Sequence, residues 1–336
     1  MKILFDHPDP FLLAHGGFQI QIQQTKAALE TIGVEVEYLR WWDSTQKADL
    51  IHFFSLAPNG YLQLARTKRI PVVMTTLFTE TCNRSDFRLL CQGFLVRLIL
   101  SAPIGSAIKH QLSWQTYLNA THNIVGLQAE ERVLRNVYGV RSDAISVVPL
   151  GLSENFLRAG KGKRTESHLI CTGTITYRKG SLEIAELAKA AQVPILFVGK
   201  PYSPDDPYWL QFEKLIDGKW VKYQTHVESD QDMIGLLQAA RGFVLKSQHE
   251  NWCLSAHEAA ACGLPVLLPD QKWSRERFGD AAHYFSHSGQ KADIEILRNF
   301  YESCPVLAAP EIKLHSWVDV GQQLKTIYEK LLSTSR

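Results

Sequence analysis

The sequence predicts two doubly wound α/β domains facing each other across a cleft. Three observations lead there. Short β-rich runs alternate with helical periods almost throughout, the pattern of parallel sheets covered by crossover helices. The scheme runs twice, once on each side of the basic, glycine-containing stretch Arg158–Arg164 (RAGKGKR). The length, 336 residues, corresponds to about two domains at roughly 150 residues each. In such folds ligands sit beyond the carboxyl ends of the strands.

In the first half, Met1–Phe5 reads as a strand and Gly17–Ile32 as a helix closed by Gly33. Val34–Leu39, Leu50–Phe54, Pro71–Thr76, Asn123–Gly126 and Ile145–Pro149 read as further strands, with helical periods near 60–69 and 128–138. In the second half the strands are His168–Thr172, Pro194–Val198, Val221–Thr225, Phe243–Leu245 and Pro265–Leu268. The helices between them are Lys179–Ala191, Tyr208–Ile216, Asp232–Ala240 and Trp252–Ala261. Arg158–Arg164 is the natural linker, giving one domain over 1–157 and another over 165–316, with a terminal helix in 317–336.

Lys plus Arg (36) against Asp plus Glu (34) leaves a formal charge of +2, too balanced for a protein whose main task is coating nucleic acid. The six cysteines form no CxxC pair, which fits free thiols in a reducing compartment. Met1–Phe5 runs directly into Asp6, His7 and Pro8, so no signal-type apolar region is expected and the cytoplasm is the expected location. The most apolar stretch, Leu89–Leu100, is interrupted by Gln92, Gly93 and Arg97 and is shorter than the roughly 20 residues of a membrane span.

The most informative segment is Ser247–Leu268, SQHENWCLSAHEAAACGLPVLL. It reads as a strand end, a polar loop, a helix, a capping Gly263 and a new strand opened by Pro265. Amides near Leu254 and Ser255 begin that helix and lack intrahelical partners, which suits an anion such as phosphate. Glu250 and Glu258 are eight residues apart, at most about 12 Å along a helix. That is too long for two carboxylates sharing one bond, as in many glycosidases at roughly 5–9 Å. It suits two hydroxyl clusters on either side of a diphosphate.

This segment resembles the donor-site signature of the GT-B glycosyltransferases, particularly the retaining family 4. Earlier in the chain His15-Gly16-Gly17 resembles that family's N-terminal glycine loop, Val147–Gly151 its interdomain segment, and Gly173–Gly180 (GTITYRKG) its phosphate-binding stretch. Trp317–Leu332 resembles the terminal helix that crosses back onto the first domain. The resemblance implies that Glu258 holds the ribose hydroxyls of a nucleotide and that Glu250 holds the transferred sugar near the reacting carbon. It implies that Lys179 neutralises the diphosphate, with Gly16 and Gly17 admitting close backbone approach. Thr174 stands where the family has an arginine, and Arg178 is the substitute at hand. Leu77 and Phe78 follow the strand 71–76 where relatives often place a histidine.

Other signals read as structural. Asp230-Gln-Asp232 sits at a capped helix start rather than in a metal motif, and His249, Cys253 and His257 lack the partners of a zinc site. No GxxxxGK[ST] or GxGxxG occurs, against a nucleoside triphosphatase or a dinucleotide-dependent dehydrogenase. Arg84–Trp114 mixes Arg84, Arg88, Arg97 and Lys109 with Phe87, Phe94, Leu95 and Leu98. It reads as a packed apolar helix with snorkelling arginines, or as a peripheral membrane contact. The resemblance thus implies a retaining, metal-independent glycosyltransferase with no cofactor, a nucleotide-sugar donor, and a sugar, glycan or lipid-linked acceptor. The alternatives are a nucleotide-sugar epimerase of similar shape and a catalytically silent sugar- or nucleotide-binding homologue.

Overall fold

The computed structural model describes residues 1–12, 16–78, 80–102, 114–286 and 288–334. His15 of the glycine loop and Lys109 of the 84–114 stretch lie outside the described residues. The chain divides into two compact units, Met1–Gly151 with His315–Arg336, and Leu152–Leu314.

Unit 1 holds β1 (Lys2–Asp6), β2 (Glu35–Tyr38), β3 (Leu50–Phe54), β4 (Val72–Thr75), β5 (His122–Val125) and β6 (Ile145–Val147). They form one parallel sheet in the order β2-β1-β3-β4-β5-β6. Residues buried on both faces explain the unbroken apolar runs: every residue of β3 and β4 is buried, as parallel strands covered by helices require. The core joins Ile3, Phe5, Leu50, Phe54 and Val73 to Ile22 and Leu29 of the helix Gly17–Thr31. The terminal helix Trp317–Thr334 adds Trp317, Val320, Leu324 and Tyr328 to the same cluster.

Unit 2 repeats the plan with β7 (Leu169–Thr172), β8 (Ile195–Val198), β9 (Val221–Gln224), β10 (Gly242–Val244), β11 (Val266–Pro269) and β12 (His283–Phe285). Its order is β12-β11-β10-β7-β8-β9, again parallel throughout. The chain lays β8 and β9 outward from β7, then returns to place β10 on the other side. The carboxyl ends of β7 and β10 therefore flank the switch point, where open parallel sheets form a crevice.

Three readings of the sequence need correction. Arg158–Arg164 is packed into unit 2 and is no free linker: the Arg164 guanidinium donates to the carbonyls of Cys304, Leu307 and Gly263. The helix expected from Lys179 begins at Ser181, because Tyr177–Lys179 forms a 3₁₀ turn and Gly180 takes a left-handed conformation (φ 67°). Packing does not account for the stretch after Arg84. The helix Asp86–Ser101 buries Leu89, Gly93 and Val96 but leaves Phe87, Leu90, Phe94, Leu95 and Leu98 exposed, Phe87 at 76%. Gly93 is required there, since a Cβ would lie 2.0 Å from the Asn136 carbonyl oxygen. Among the described residues no helix is long and apolar enough to cross a membrane.

Candidate active site at the switch point of unit 2

Beyond β7 the backbone at Gly173 lies so close to Gly199, which follows β8, that a Cβ on Gly199 would meet the Gly173 carbonyl oxygen at 1.9 Å. Beyond β10 the chain passes Lys246 and enters the loop that carries Glu250. The two loops are pinned together: Gln248 N donates to the Arg178 carbonyl at 2.9 Å, and a Cβ on Gly180 would lie 2.5 Å from the Lys246 carbonyl oxygen. Only glycine fits that approach with a positive φ.

The pinning brings three side chains onto one carboxylate. Lys179 Nζ lies 2.5 Å from Glu250 Oε1, Ser247 Oγ donates to the same oxygen at 2.6 Å, and Arg178 Nη1 reaches Oε2 at 3.2 Å. Arg178 thus faces the same way as Lys179. Burial opposes ionisation of Glu250, but the Lys179 and Arg178 charges, with the hydrogen bonds from Lys179 and Ser247, hold its carboxyl below the ordinary range. Burial likewise works against the Lys179 ammonium, and Glu250 beside it raises its pKa above the usual value. Both groups are therefore charged at neutral pH.

The helix Leu254–Ala261 starts four residues after Glu250, so Glu250 lies in the preceding loop and only Glu258 is helical. Cys253 caps the helix in the left-handed region (φ 63°), and the first intrahelical donor is Ala256 N to the Cys253 carbonyl at 3.2 Å. The amides of Leu254 and Ser255 precede that donor. This start is anchored by His257, whose ring stacks on Trp252 at 4.8 Å and whose Nδ1 bonds the Cys253 carbonyl at 2.9 Å. The Arg277 guanidinium lies over the Trp252 ring, 3.8 Å from a ring centroid. His257 is thus a packing residue.

Glu258 is partly buried, and among the described residues no hydrogen-bond donor or cation pairs with its carboxylate. Burial, reinforced by the Asp230 charge and opposed by Lys179, pushes it up to about 7. Asp230 itself accepts from Ser153 Oγ at 2.6 Å and Asn155 Nδ2 at 3.2 Å, while Ser229 caps the helix by accepting from Gln231 N and Asp232 N. Among the described residues no group of three or more His, Cys, Asp or Glu gathers to hold a metal ion.

Arg178, Lys179, Glu250, Leu254, Ser255 and Glu258 are therefore all in unit 2, on the two loops at the switch point and the helix that follows. Gly16 and Gly17 belong to unit 1, where Gly16 (φ 130°) caps the helix Gly17–Thr31 beyond β1 and a Cβ on either would meet nothing within 4 Å. Ser247 was not singled out from the sequence. Its signal was a hydroxyl three residues before a glutamate at a strand end, a spacing that local side-chain turns share.

The two six-stranded parallel sheets give the α/β fold seen in solved GT-B glycosyltransferases. The chain superposes on sucrose-phosphate synthase from Thermosynechococcus elongatus with a TM-score of 0.67 and 16% identity, covering 99% of each chain. It superposes on HepE from Anabaena, solved in complex with UDP and glucose, with a TM-score of 0.65 and 14% identity, covering 98% of this chain and 99% of that one. Residues 153–297 match the family described as glycosyl transferases group 1. O-antigen chain mannosyltransferase B of Escherichia coli is 28% identical over 122 residues, which are 34% of this chain and 32% of that protein. The match thus spans about a third of that relative.

Proposed function

We propose that the chain transfers a glycosyl group from a nucleoside-diphosphate sugar to an acceptor hydroxyl, with retention and without a metal ion. The observation that carries this reading is the Arg178–Lys179–Ser247 set on the ionised Glu250, next to a helix start and within one helix of Glu258. Breaking the sugar–oxygen bond puts negative charge on the departing diphosphate. Lys179, Arg178 and the amides of Leu254 and Ser255 are preorganised donors for that charge. An ionised Glu250 is acceptor-only and orients sugar hydroxyls. Glu258 receives the nucleotide's ribose hydroxyls. That HepE was solved with UDP and glucose supports a nucleotide-sugar donor for this fold.

The exposed face of Asp86–Ser101 extends the reading to the acceptor. Phe87, Leu90, Phe94, Leu95 and Leu98 share one side of the helix, and helical spacing places Arg88 and Arg97 on its two flanks. Such a face suits an anionic lipid surface, where apolar side chains insert and flanking cations meet headgroups. The acceptor is then a lipid-linked sugar or glycan presented at that surface.

One experiment separates the roles of the glutamates. In excess chelator, Glu258→Gln is expected to weaken donor binding by roughly 10- to 100-fold, the worth of a charge-assisted hydrogen bond. Glu250→Gln is expected to slow turnover more than it weakens binding. Calorimetry with UDP-, GDP- and ADP-sugars, coupled to donor-hydrolysis rates, reads both. Activity lost in chelator and restored by magnesium removes the metal-independent mechanism. Donor affinity unchanged in both variants removes the site.

A further inference from the structure

Two cations meet one carboxylate at the switch point of unit 2, and that carboxylate is nearly full. Lys179 Nζ and Ser247 Oγ both sit on Glu250 Oε1, at 2.5 and 2.6 Å, and Arg178 Nη1 lies 3.2 Å from Oε2. A carboxylate offers about four acceptor positions, so three donors leave about one for sugar hydroxyls. The Lys179 and Glu250 side chains are only 14% and 8% exposed, against 41% for Arg178. A buried ion pair persists because removing either partner strands the other charge. An incoming anion removes neither: it takes the carboxylate's place on the cations.

A diphosphate carries a negative charge on each phosphate and needs the same two cations. Three N–H donors let Lys179 touch two anions at once. That bridge, however, holds the Glu250 carboxylate and a phosphate side by side, and like charges at such range repel. The better balanced arrangement puts the cations on the diphosphate, beside the amides of Leu254 and Ser255, and Glu250 on the sugar. The Lys179 stem crosses Gly173, its Cε 3.7 Å from where a Cβ would lie, so Gly173 sets no side chain against it. Ser247 is the donor that stays. It is fully buried, and its neutral hydroxyl draws a phosphate less strongly than an ammonium does. Its neighbour Gln248 is tied through the backbone to the Arg178 carbonyl at 2.9 Å, a bond that a change of side-chain partners leaves intact.

We propose that Glu250 occupies the diphosphate's place on Lys179 and Arg178 until a donor binds, and that binding exchanges the partners. The diphosphate takes the two cations, and Glu250, still held by Ser247, is released to the hydroxyls of the sugar. Ser247 is then a positioning residue. The sugar-binding carboxylate becomes available only once a diphosphate has arrived. A free sugar brings no charge with which to open the ion pair, so the site selects diphosphate-linked sugars. The exchange rests on the donor reading, in which a nucleoside-diphosphate sugar binds at this cluster.

Titration calorimetry of the full chain with UDP, GDP and ADP, at fixed ionic strength and with no sugar present, tests the exchange. The diphosphate that binds the parent is expected to bind Glu250→Gln about tenfold more tightly or better, the worth of the charged hydrogen bond it no longer displaces. With the matching nucleotide sugar the gain is expected to be smaller, because the contact with the sugar is weakened too. Ser247→Ala is expected to weaken the free diphosphate about tenfold, since the displaced carboxylate loses the donor that stays with it. Combined with Glu250→Gln it is expected to have no effect, the coupling that a double-mutant cycle reads. A Ser247→Ala loss of equal size in both backgrounds overturns the positioning role. Diphosphate binding equal or weaker in Glu250→Gln overturns the exchange and leaves the donor reading standing. Binding of no diphosphate by the parent or either variant overturns the donor reading, and the exchange with it.

Discussion

Two glutamates on neighbouring segments are tuned in opposite directions by what surrounds them. Glu250 has Lys179, Arg178 and Ser247 on its oxygens and stays ionised. Glu258 has burial and the Asp230 charge against it and titrates near 7. Pairs of carboxyls driven apart in this way take different roles in a site. The Glu258 shift has a consequence for stability. Its ordinary value is 4.5, so between about pH 4.5 and 7 the folded chain holds a proton that the unfolded chain has released. The contribution of this group is therefore fully present below pH 4.5 and is lost as the pH rises through 7. Glu258→Gln has no proton to lose. It is expected to match the parent near pH 4 and to be more stable at pH 8 by on the order of 1–3 kcal/mol, each pKa unit being worth about 1.4 kcal/mol. Urea midpoints at pH 4.5, 6 and 8 check this, and a difference that does not change with pH removes the assignment.

At the scale of elements, what was legible depended on how local the signal was. The strand, loop, helix and Gly-Pro exit around Glu250 and Glu258 lie within one continuous segment, so their type could be read from the chain. The pairing of Lys179 with Glu250 spans 71 residues and exists because β10 returns beside β7. That Arg178 turns the same way follows from the 3₁₀ turn and the positive φ of Gly180, which no periodicity announces. β12, three residues at a sheet edge, is too short to show alternation. Asp86–Ser101 is apolar around most of its circumference, so its period marks a helix but cannot say which face is buried. The Asn136 carbonyl against Gly93 decides it, leaving the Phe87–Phe94–Leu98 face outward. If that face rests on lipid, the full chain should sediment with anionic vesicles and much less with neutral ones. Each flanking arginine is worth about 1 kcal/mol there. Phe87→Asp with Phe94→Asp should abolish recovery while leaving the thermal midpoint within a few degrees, because both side chains are exposed. Equal recovery on both vesicle types, or recovery unaffected by the double substitution, ends the idea.

At the scale of the whole molecule, unit 1 is discontinuous in the chain: its sheet and first helices come from 1–151 and its last helix from beyond 315. Trp317, Val320, Leu324 and Tyr328 are all at most 7% exposed and share one cluster with Ile3, Ile22 and Leu29. Tyr328 also bonds the fully buried His52, its Oη 2.6 Å from Nδ1, while Thr75 Oγ1 lies 2.6 Å from Nε2. Burial lowers His52 to about 3, so the ring is neutral at physiological pH and one of its nitrogens needs an acceptor. The helix start is seated on Gly151, where a Cβ would lie 2.5 Å from Trp317 N. Burying four such side chains is worth about 1.5–3 kcal/mol each. Their sum is comparable to the whole stability of a domain, about 5–15 kcal/mol. A chain of residues 1–151 alone is therefore expected to lack a cooperative thermal transition and to bind a hydrophobic dye. Joining 315–336 to it through a flexible glycine–serine linker is expected to restore both the transition and the near-ultraviolet dichroism of the buried aromatics. Residues 152–314 expressed alone should unfold cooperatively, since their sheet and core are contiguous. A sharp, reversible transition for 1–151 without the last helix would show that the terminal segment decorates the unit rather than completing it.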